Sequence, residues 1–255
     1  MKILNADFVT SAARADGIPR DEIPRVALAG RSNVGKSSLI NALCRTKIAR
    51  TSAAPGKTRL LNFYRITMEG GPGGPGQWSV YLVDLPGYGY ARGGEESAAE
   101  LEAVADSCFS GERPRPERGA TSPRQGNGGP PKLQRRRKSP RGSDRGWGPA
   151  SAERSRQAAG DTRWPVHAPH ALLLIDSRHP GLRADLAAAE WLNRIGVTYH
   201  VVATKIDKLA RSERAKNLKT LETTFGTAAL PVSATSGEGM DELWRTIARL
   251  ARNAA

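Results

Sequence analysis

Eight residues, Gly30-Arg31-Ser32-Asn33-Val34-Gly35-Lys36-Ser37, constrain this chain more than any other stretch. They fit the pattern G-x-x-x-x-G-K-[ST], and their flanks decide how the pattern is read. Arg25-Val26-Ala27-Leu28-Ala29 before them reads as a short buried strand. Ser38-Leu39-Ile40-Asn41-Ala42-Leu43-Cys44 after them reads as a helix with an apolar face. Strand, glycine loop, helix is the setting in which this motif wraps a phosphate chain. The glycines admit a close backbone approach, while loop N–H groups and the helix N-terminus supply donors and partial positive charge. Lys36 is placed to reach the β- and γ-phosphates, and the Ser37 hydroxyl to ligate Mg²⁺. Gly30 to Ser38 are the first nucleotide-binding candidates.

A second signature follows. Leu60 to Thr67 and Trp78 to Val83 are rich in β-formers, and Glu69 to Gly76 between them is a glycine-proline tract. This predicts a hairpin with an enlarged tip. Its second strand runs into Asp84-Leu85-Pro86-Gly87. An apolar strand ending in D-x-x-G places Asp84 to hold Mg²⁺ through water and the Gly87 N–H to sense a γ-phosphate. The next residue is Tyr88. A glutamine at that position orients the attacking water in many switch nucleotidases; a tyrosine ring does not do so in the same way, which predicts slow intrinsic hydrolysis. Asn33 either helps a K⁺ ion sit beside the phosphates or only stabilises the loop. Between loop and hairpin, Thr51 to Arg59 is polar and carries Pro55-Gly56-Lys57-Thr58. Thr58 either closes over Mg²⁺ and the γ-phosphate or is a surface-loop threonine. Lys36, Thr58 and Gly87 are the catalytic candidates.

The base is read further on. His170 to Asp176 is an apolar run fit for a central parallel strand, and Leu182 to Leu192 has helical periodicity with Leu182, Leu186, Ala189 and Leu192 inward. Thr198 to Ala203 forms the next strand and ends in Thr204-Lys205-Ile206-Asp207. An aspartate there accepts from both N1–H and the 2-amino group of guanine, a donor pair that adenine lacks, so the motif selects GTP over ATP. Lys205 packs its stem over the base and ties back to the phosphate loop. Val232-Ser233-Ala234 offers a backbone N–H to guanine O6. Ser212 is the expected N-cap of a basic amphipathic helix reaching Phe225, and Met240 to Leu250 a last helix burying Leu243, Ile247 and Leu250.

The formal net charge of +14 points to a polyanionic partner, nucleic acid before membrane. The charge is concentrated. Residues 113–145 carry eleven basic side chains against Glu117 and Asp144, a surplus of nine. That tract of Pro, Gly, Ser and Arg has almost nothing to bury and reads as disordered. Arg135-Arg136-Arg137-Lys138 is either an RNA contact or part of a solvated insertion without a dedicated role. Cys44 and Cys108 share no metal-ligand spacing and make no disulfide framework, which suits a reducing cytoplasm. No apolar run is long enough for a membrane span, and Met1 to Asp7 lacks a signal-peptide pattern. Residues 1–24 read as a polar arm packing on the domain.

With these residues assembled, the sequence resembles the EngB/YsxC (YihA) family of ribosome-assembly GTPases, in the TrmE–Era–EngA-like class. The resemblance rests on Gly30 to Asn41, Pro55-Gly-Lys-Thr-Arg59 with Asn62, Asp84-Leu-Pro-Gly-Tyr-Gly-Tyr-Ala91, Asp176-x-Arg-His-Pro180 and Thr204-Lys-x-Asp207. It covers residues 1–91 and 166–255. It implies an α/β fold, a single Ras-like P-loop G domain over 25–91 and 166–255. The sheet is then six-stranded and mostly parallel, with one antiparallel strand and helices on both faces. It further implies Mg²⁺ at Ser37 and Thr58, a monomer that cycles between GTP and GDP, and a role in maturing the large ribosomal subunit and its rRNA. An association with cell division and septation follows from the family alone. The departure is 92–165, where the family's helix after the second switch is either diverged around Glu95–Cys108 or replaced. An RNA-interaction protein whose basic tract does the binding, with an impaired nucleotide cycle, is the competing reading.

Overall fold

Apolar residues that alternate along the strands divide this protein's interior into two layers. In β2 (Arg25–Gly30), Val26 and Leu28 face one side of the sheet while Ala27 and Ala29 face the other. In β5 (His170–Asp176), Leu172 and Leu174 oppose Ala171, Leu173 and Ile175 in the same way. Strands apolar on both faces must be covered on both, and they are. Helices α1 (Lys36–Cys44) and α4 (Met240–Asn253) cover the first face through Leu39, Ile40, Leu43, Leu243, Trp244, Ile247 and Leu250. Helices α2 (Arg183–Arg194) and α3 (Arg211–Phe225) cover the second through Ala188, Ala189, Leu192 and Leu221. Fully buried side chains such as Leu243 and Ile247 each contribute about 1.5–3 kcal/mol of apolar burial.

The computed structural model describes residues 1–13, 15–49, 60–71, 74–88 and 170–253. The remaining strands are β1 (Lys2–Ala12), β3 (Leu61–Glu69), β4 (Gln77–Asp84), β6 (Thr198–Thr204) and β7 (Leu230–Pro231). The sheet order is β1-β3-β4-β2-β5-β6-β7, and β3 runs antiparallel to both of its neighbours. The β3–β4 hairpin is the one expected. Its tip is closed by the Gly70 N–H donating to the Gly76 carbonyl at 3.0 Å and by the Trp78 indole donating to the Gly70 carbonyl at 2.9 Å.

The sheet has seven strands rather than six. The added strand is β1, which turns the expected polar arm into an edge strand paired from Lys2↔Glu69 to Ala12↔Leu61. Its register shifts between Ile3 and Asn5 and again between Phe8 and Thr10. Each shift inserts one residue and flips the side chains that follow, so the period-two signal is broken twice. Phe8 still packs edge-on against Tyr64, with ring centroids 5.7 Å apart.

Two helix details also differ. In α2 the inward stripe is Asp185, Ala188, Ala189 and Leu192; Leu182 precedes the helix and is exposed, and Leu186 is half-buried. Helix α3 begins at Arg211, so its N-cap is Ala210 and not Ser212. Alanine has no side-chain acceptor, and the Glu213 carboxylate caps the turn by accepting the Ala210 N–H at 3.1 Å. The expected last helix holds and extends to Asn253. Parallel strands β2, β4, β5 and β6 finish at Gly30, Asp84, Asp176 and Thr204, and this brings the motifs to one edge of the sheet.

Candidate functional site

The phosphate loop is built by two glycines with different duties. At Gly30 a Cβ would stand 2.8 Å from Val34 Cγ1 and 3.1 Å from Leu174 Cβ, so only glycine lets the loop start against β5. Gly35 has φ 111°, a left-handed conformation that turns the chain into α1. Asn33, at φ 64°, also sits in the left-handed region. Lys36 folds back over the loop and donates from Nζ to the Gly30 carbonyl at 3.1 Å. Burial lowers its pKa, and the charge of Asp84 opposes that shift. An ammonium held there on a neutral carbonyl gains from an arriving phosphate.

The base-reading segment is stitched to this loop from the side. Thr204 is buried, and its hydroxyl lies 2.8 Å from the Val34 carbonyl and 3.2 Å from the Ile175 carbonyl, donating toward both. Lys205 Nζ donates to the Asn33 carbonyl at 2.6 Å and to Asp176 Oδ2 at 2.9 Å. Asp176 also accepts Arg178 Nε at 2.9 Å, Arg178 Nη2 at 2.7 Å and the Arg178 N–H at 3.1 Å. Burial alone would raise the Asp176 carboxyl, but the donors from Arg178 and Lys205 hold it well below the usual carboxylate range. Ile206 is buried beneath the segment. Asp207 accepts the Ser233 hydroxyl at 2.7 Å, and that bond lowers its pKa. Ser233 Oγ in turn accepts the N–H groups of Thr235 and Ser236 at 3.2 and 3.0 Å. The Val232 N–H donates to the Ala203 carbonyl at 2.8 Å, which sets Ser233 and Ala234 beside Asp207.

Comparison with known proteins places this geometry. The family model described as "50S ribosome-binding GTPase" matches residues 25–110. A "Probable GTP-binding protein EngB" of Pelotomaculum thermopropionicum is 36% identical over 254 residues, covering 98% of this chain and 96% of that protein. The EngB of Heliobacterium modesticaldum is 34% identical over 248 residues, covering 95% and 90%. The chain belongs to the EngB family of GTP-binding proteins. A solved structure titled as a probable GTP-binding protein engB is 16% identical, covers 89% of this chain and 98% of that one, and has a TM-score of 0.46. As an EngB-family member, this chain is a GTPase carrying a G domain.

One buried group tests whether a divalent cation fits. Asp84 is 8% exposed, and its Oδ1 has no hydrogen-bond partner among the described residues. Burial pushes its pKa from 3.8 up to about 6, with Lys36 pulling the other way. An orphaned carboxylate oxygen at the mouth of a phosphate loop suits a hydrated hard cation. Ser37 in the first turn of α1 and Asp84 at the end of β4 are the described residues that would hold Mg²⁺. When bound, the ion supplies charge neutralisation to the β- and γ-phosphates.

Of the sequence-predicted residues, Gly30, Arg31, Ser32, Asn33, Val34, Gly35, Lys36, Ser37 and Ser38 form one continuous loop and helix start. Leu85 is buried, its N–H donating to the Leu28 carbonyl at 3.1 Å, and Pro86 is buried beside it. Gly87 lies against Ser32, where a Cβ would stand 2.8 Å from the Ser32 nitrogen. Gly56, Lys57 and Thr58 lie outside the described residues, as does the expected helix around Glu95–Cys108. Sequence reasoning gave Asp176 and Arg178 no role. An acid closing an apolar parallel strand next to Lys205 was the available signal.

Proposed function

We propose that this chain is a GTP-operated switch acting in assembly of the large ribosomal subunit, and through that role supports normal cell division and septation. The observation that carries the reading is Lys205, bonded both to Asn33 of the phosphate loop and to Asp176, so that base recognition and phosphate binding share one rigid edge. Guanine is read by Asp207, steadied by Ser233, with the Ala234 N–H facing O6. Lys36 and the N–H groups of the loop neutralise the phosphates, Gly87 senses the γ-phosphate, and Ser37, Asp84 and Thr58 serve Mg²⁺. The match of residues 25–110 to the 50S ribosome-binding GTPase family supports the ribosomal partner. Tyr88 supports slow intrinsic hydrolysis, because it stands where a water-orienting glutamine would and its hydroxyl is engaged by Asp185 at 3.0 Å.

The test is co-sedimentation with purified large subunits in the presence of a non-hydrolysable GTP analogue or GDP. Retention with the analogue and release with GDP supports the switch. Equal, salt-sensitive retention in both states supports the reading as an RNA-binding protein through its basic tract. A preference for ATP over GTP in equilibrium binding would overturn the reading of the base.

A further inference from the structure

The first residue past D-x-x-G is held from two directions at once. Its backbone lies on the phosphate loop. Arg31 and Tyr88 form an isolated parallel bridge, the Ser32 N–H donates to the Tyr88 carbonyl at 3.1 Å, and the Ser32 hydroxyl donates to the Gly87 carbonyl at 3.3 Å. The approach is close enough that a Cβ on Gly87 would stand 2.8 Å from Ser32 Oγ. The side chain is held by α2. The Tyr88 hydroxyl donates to Asp185 Oδ1 at 3.0 Å, and Asp185 is 2% exposed in the first turn of that helix. The two residues are separated by 97 positions in the chain.

Both bonds to Ser32 oppose a triphosphate. A phosphate loop binds through its N–H groups, and here that of Ser32 is spent on a carbonyl outside the loop. The Gly87 and Tyr88 carbonyl oxygens border the loop and repel incoming phosphate oxygens. Sensing a γ-phosphate requires the Gly87 N–H, not its carbonyl, to face the nucleotide. A diphosphate has no γ-phosphate and makes no demand on the Gly87 N–H. Resting on the reading of the chain as a GTP-operated switch, we propose that Asp185 is a positioning residue for that switch: by holding the Tyr88 hydroxyl it keeps the Gly87–Tyr88 backbone docked on Ser32 and favours the diphosphate over the triphosphate.

The experiment measures dissociation constants of GDP and of a non-hydrolysable GTP analogue for the full chain and for Tyr88→Phe, Asp185→Ala and Asp185→Asn. Tyr88→Phe and Asp185→Ala remove the bond, and each shifts the affinity ratio toward the analogue by about five-fold, the worth of one hydrogen bond. Asp185→Asn retains an acceptor oxygen and keeps the ratio near that of the parent chain. Tyr88→Phe conserves the ring, so it reads out the bond even if Asp185→Ala does not fold. An unchanged ratio in Tyr88→Phe overturns the proposal, as does a shift toward GDP. A parallel loss of affinity for both nucleotides also overturns it, because that is the mark of a merely structural contact. Failure of the parent chain to bind either nucleotide would instead remove the switch reading beneath it.

Discussion

Asp84 should make this protein less stable as the pH is raised through the weakly acidic range, and the size of the effect follows from its surroundings. The carboxyl is 8% exposed, has an oxygen without a partner among the described residues, and has a pKa that burial pushes from 3.8 to about 6. In the unfolded chain it titrates near 3.8, so between about pH 4 and pH 6 the folded state keeps a proton that the unfolded state has lost. The stability this group contributes is fully present below about pH 4 and is lost as the pH rises through about 6. A displacement of about two pKa units corresponds to about 3 kcal/mol. The assay is urea unfolding of the parent chain and of Asp84→Asn from about pH 4 to about pH 7, with EDTA and without nucleotide. The parent-minus-variant difference should fall by about 3 kcal/mol across that range. His200, whose pKa is lowered by burial and then by Arg249, contributes to both proteins and cancels. Asp176, held low, loses its contribution only as the pH falls below about 4 and stays outside the window. Adding Mg²⁺ with GDP should flatten the difference, since a cation at Asp84 keeps the carboxylate ionised. A difference that does not depend on pH would refute the assignment of a buried, unpartnered carboxyl to this position.

Three further outcomes are expected. On the proposed reading of the base, Asp207→Asn removes the paired acceptor for guanine and should weaken GDP and GTP by roughly 100-fold while improving xanthosine nucleotides, measured by competition binding. Thr204→Val strands the buried Val34 carbonyl that its hydroxyl serves at 2.8 Å; this costs about 1–3 kcal/mol and should weaken GDP and GTP alike, leaving their ratio unchanged. Ile247→Ala in α4 opens a cavity beneath a fully buried side chain and should lower unfolding free energy by about 2–5 kcal/mol, measured by urea unfolding.

The chain's local signals account for much of what was legible. Gly30 to Ser37, Asp84 to Gly87 and Thr204 to Asp207 each follow a strand, and a strand-end loop carries its chemistry within a few residues, so type and spacing suffice to name it. The β3–β4 hairpin and the buried stripe of α4 were legible for the same reason, through period-two alternation and a helical repeat. The stripe of α2 was shifted because Asp185, a polar residue, takes an inward position that a hydrophobicity pattern assigns to Leu182 or Leu186.

What the sequence determined by itself was the set of nucleotide motifs, their order along one sheet, and hence the G domain and its family. Only the tertiary structure decided three things. It made the N-terminal arm an edge strand, since two register shifts erase alternation and the residues of β1 pair with partners in β3 far along the chain, from Lys2↔Glu69 to Ala12↔Leu61. It gave the expected tie of Lys205 to the phosphate loop its partner, Asn33, and added a second one, Asp176, 29 positions away. It seated the Tyr88 hydroxyl on Asp185 across 97 positions. The bonds to Asp176 and Asp185 join residues whose own neighbours say nothing of the partner. Periodicity and motif spacing report on the chain within a turn or a strand, whereas these bonds exist only because parallel strands end together at one edge and a helix on the far face delivers a carboxylate there.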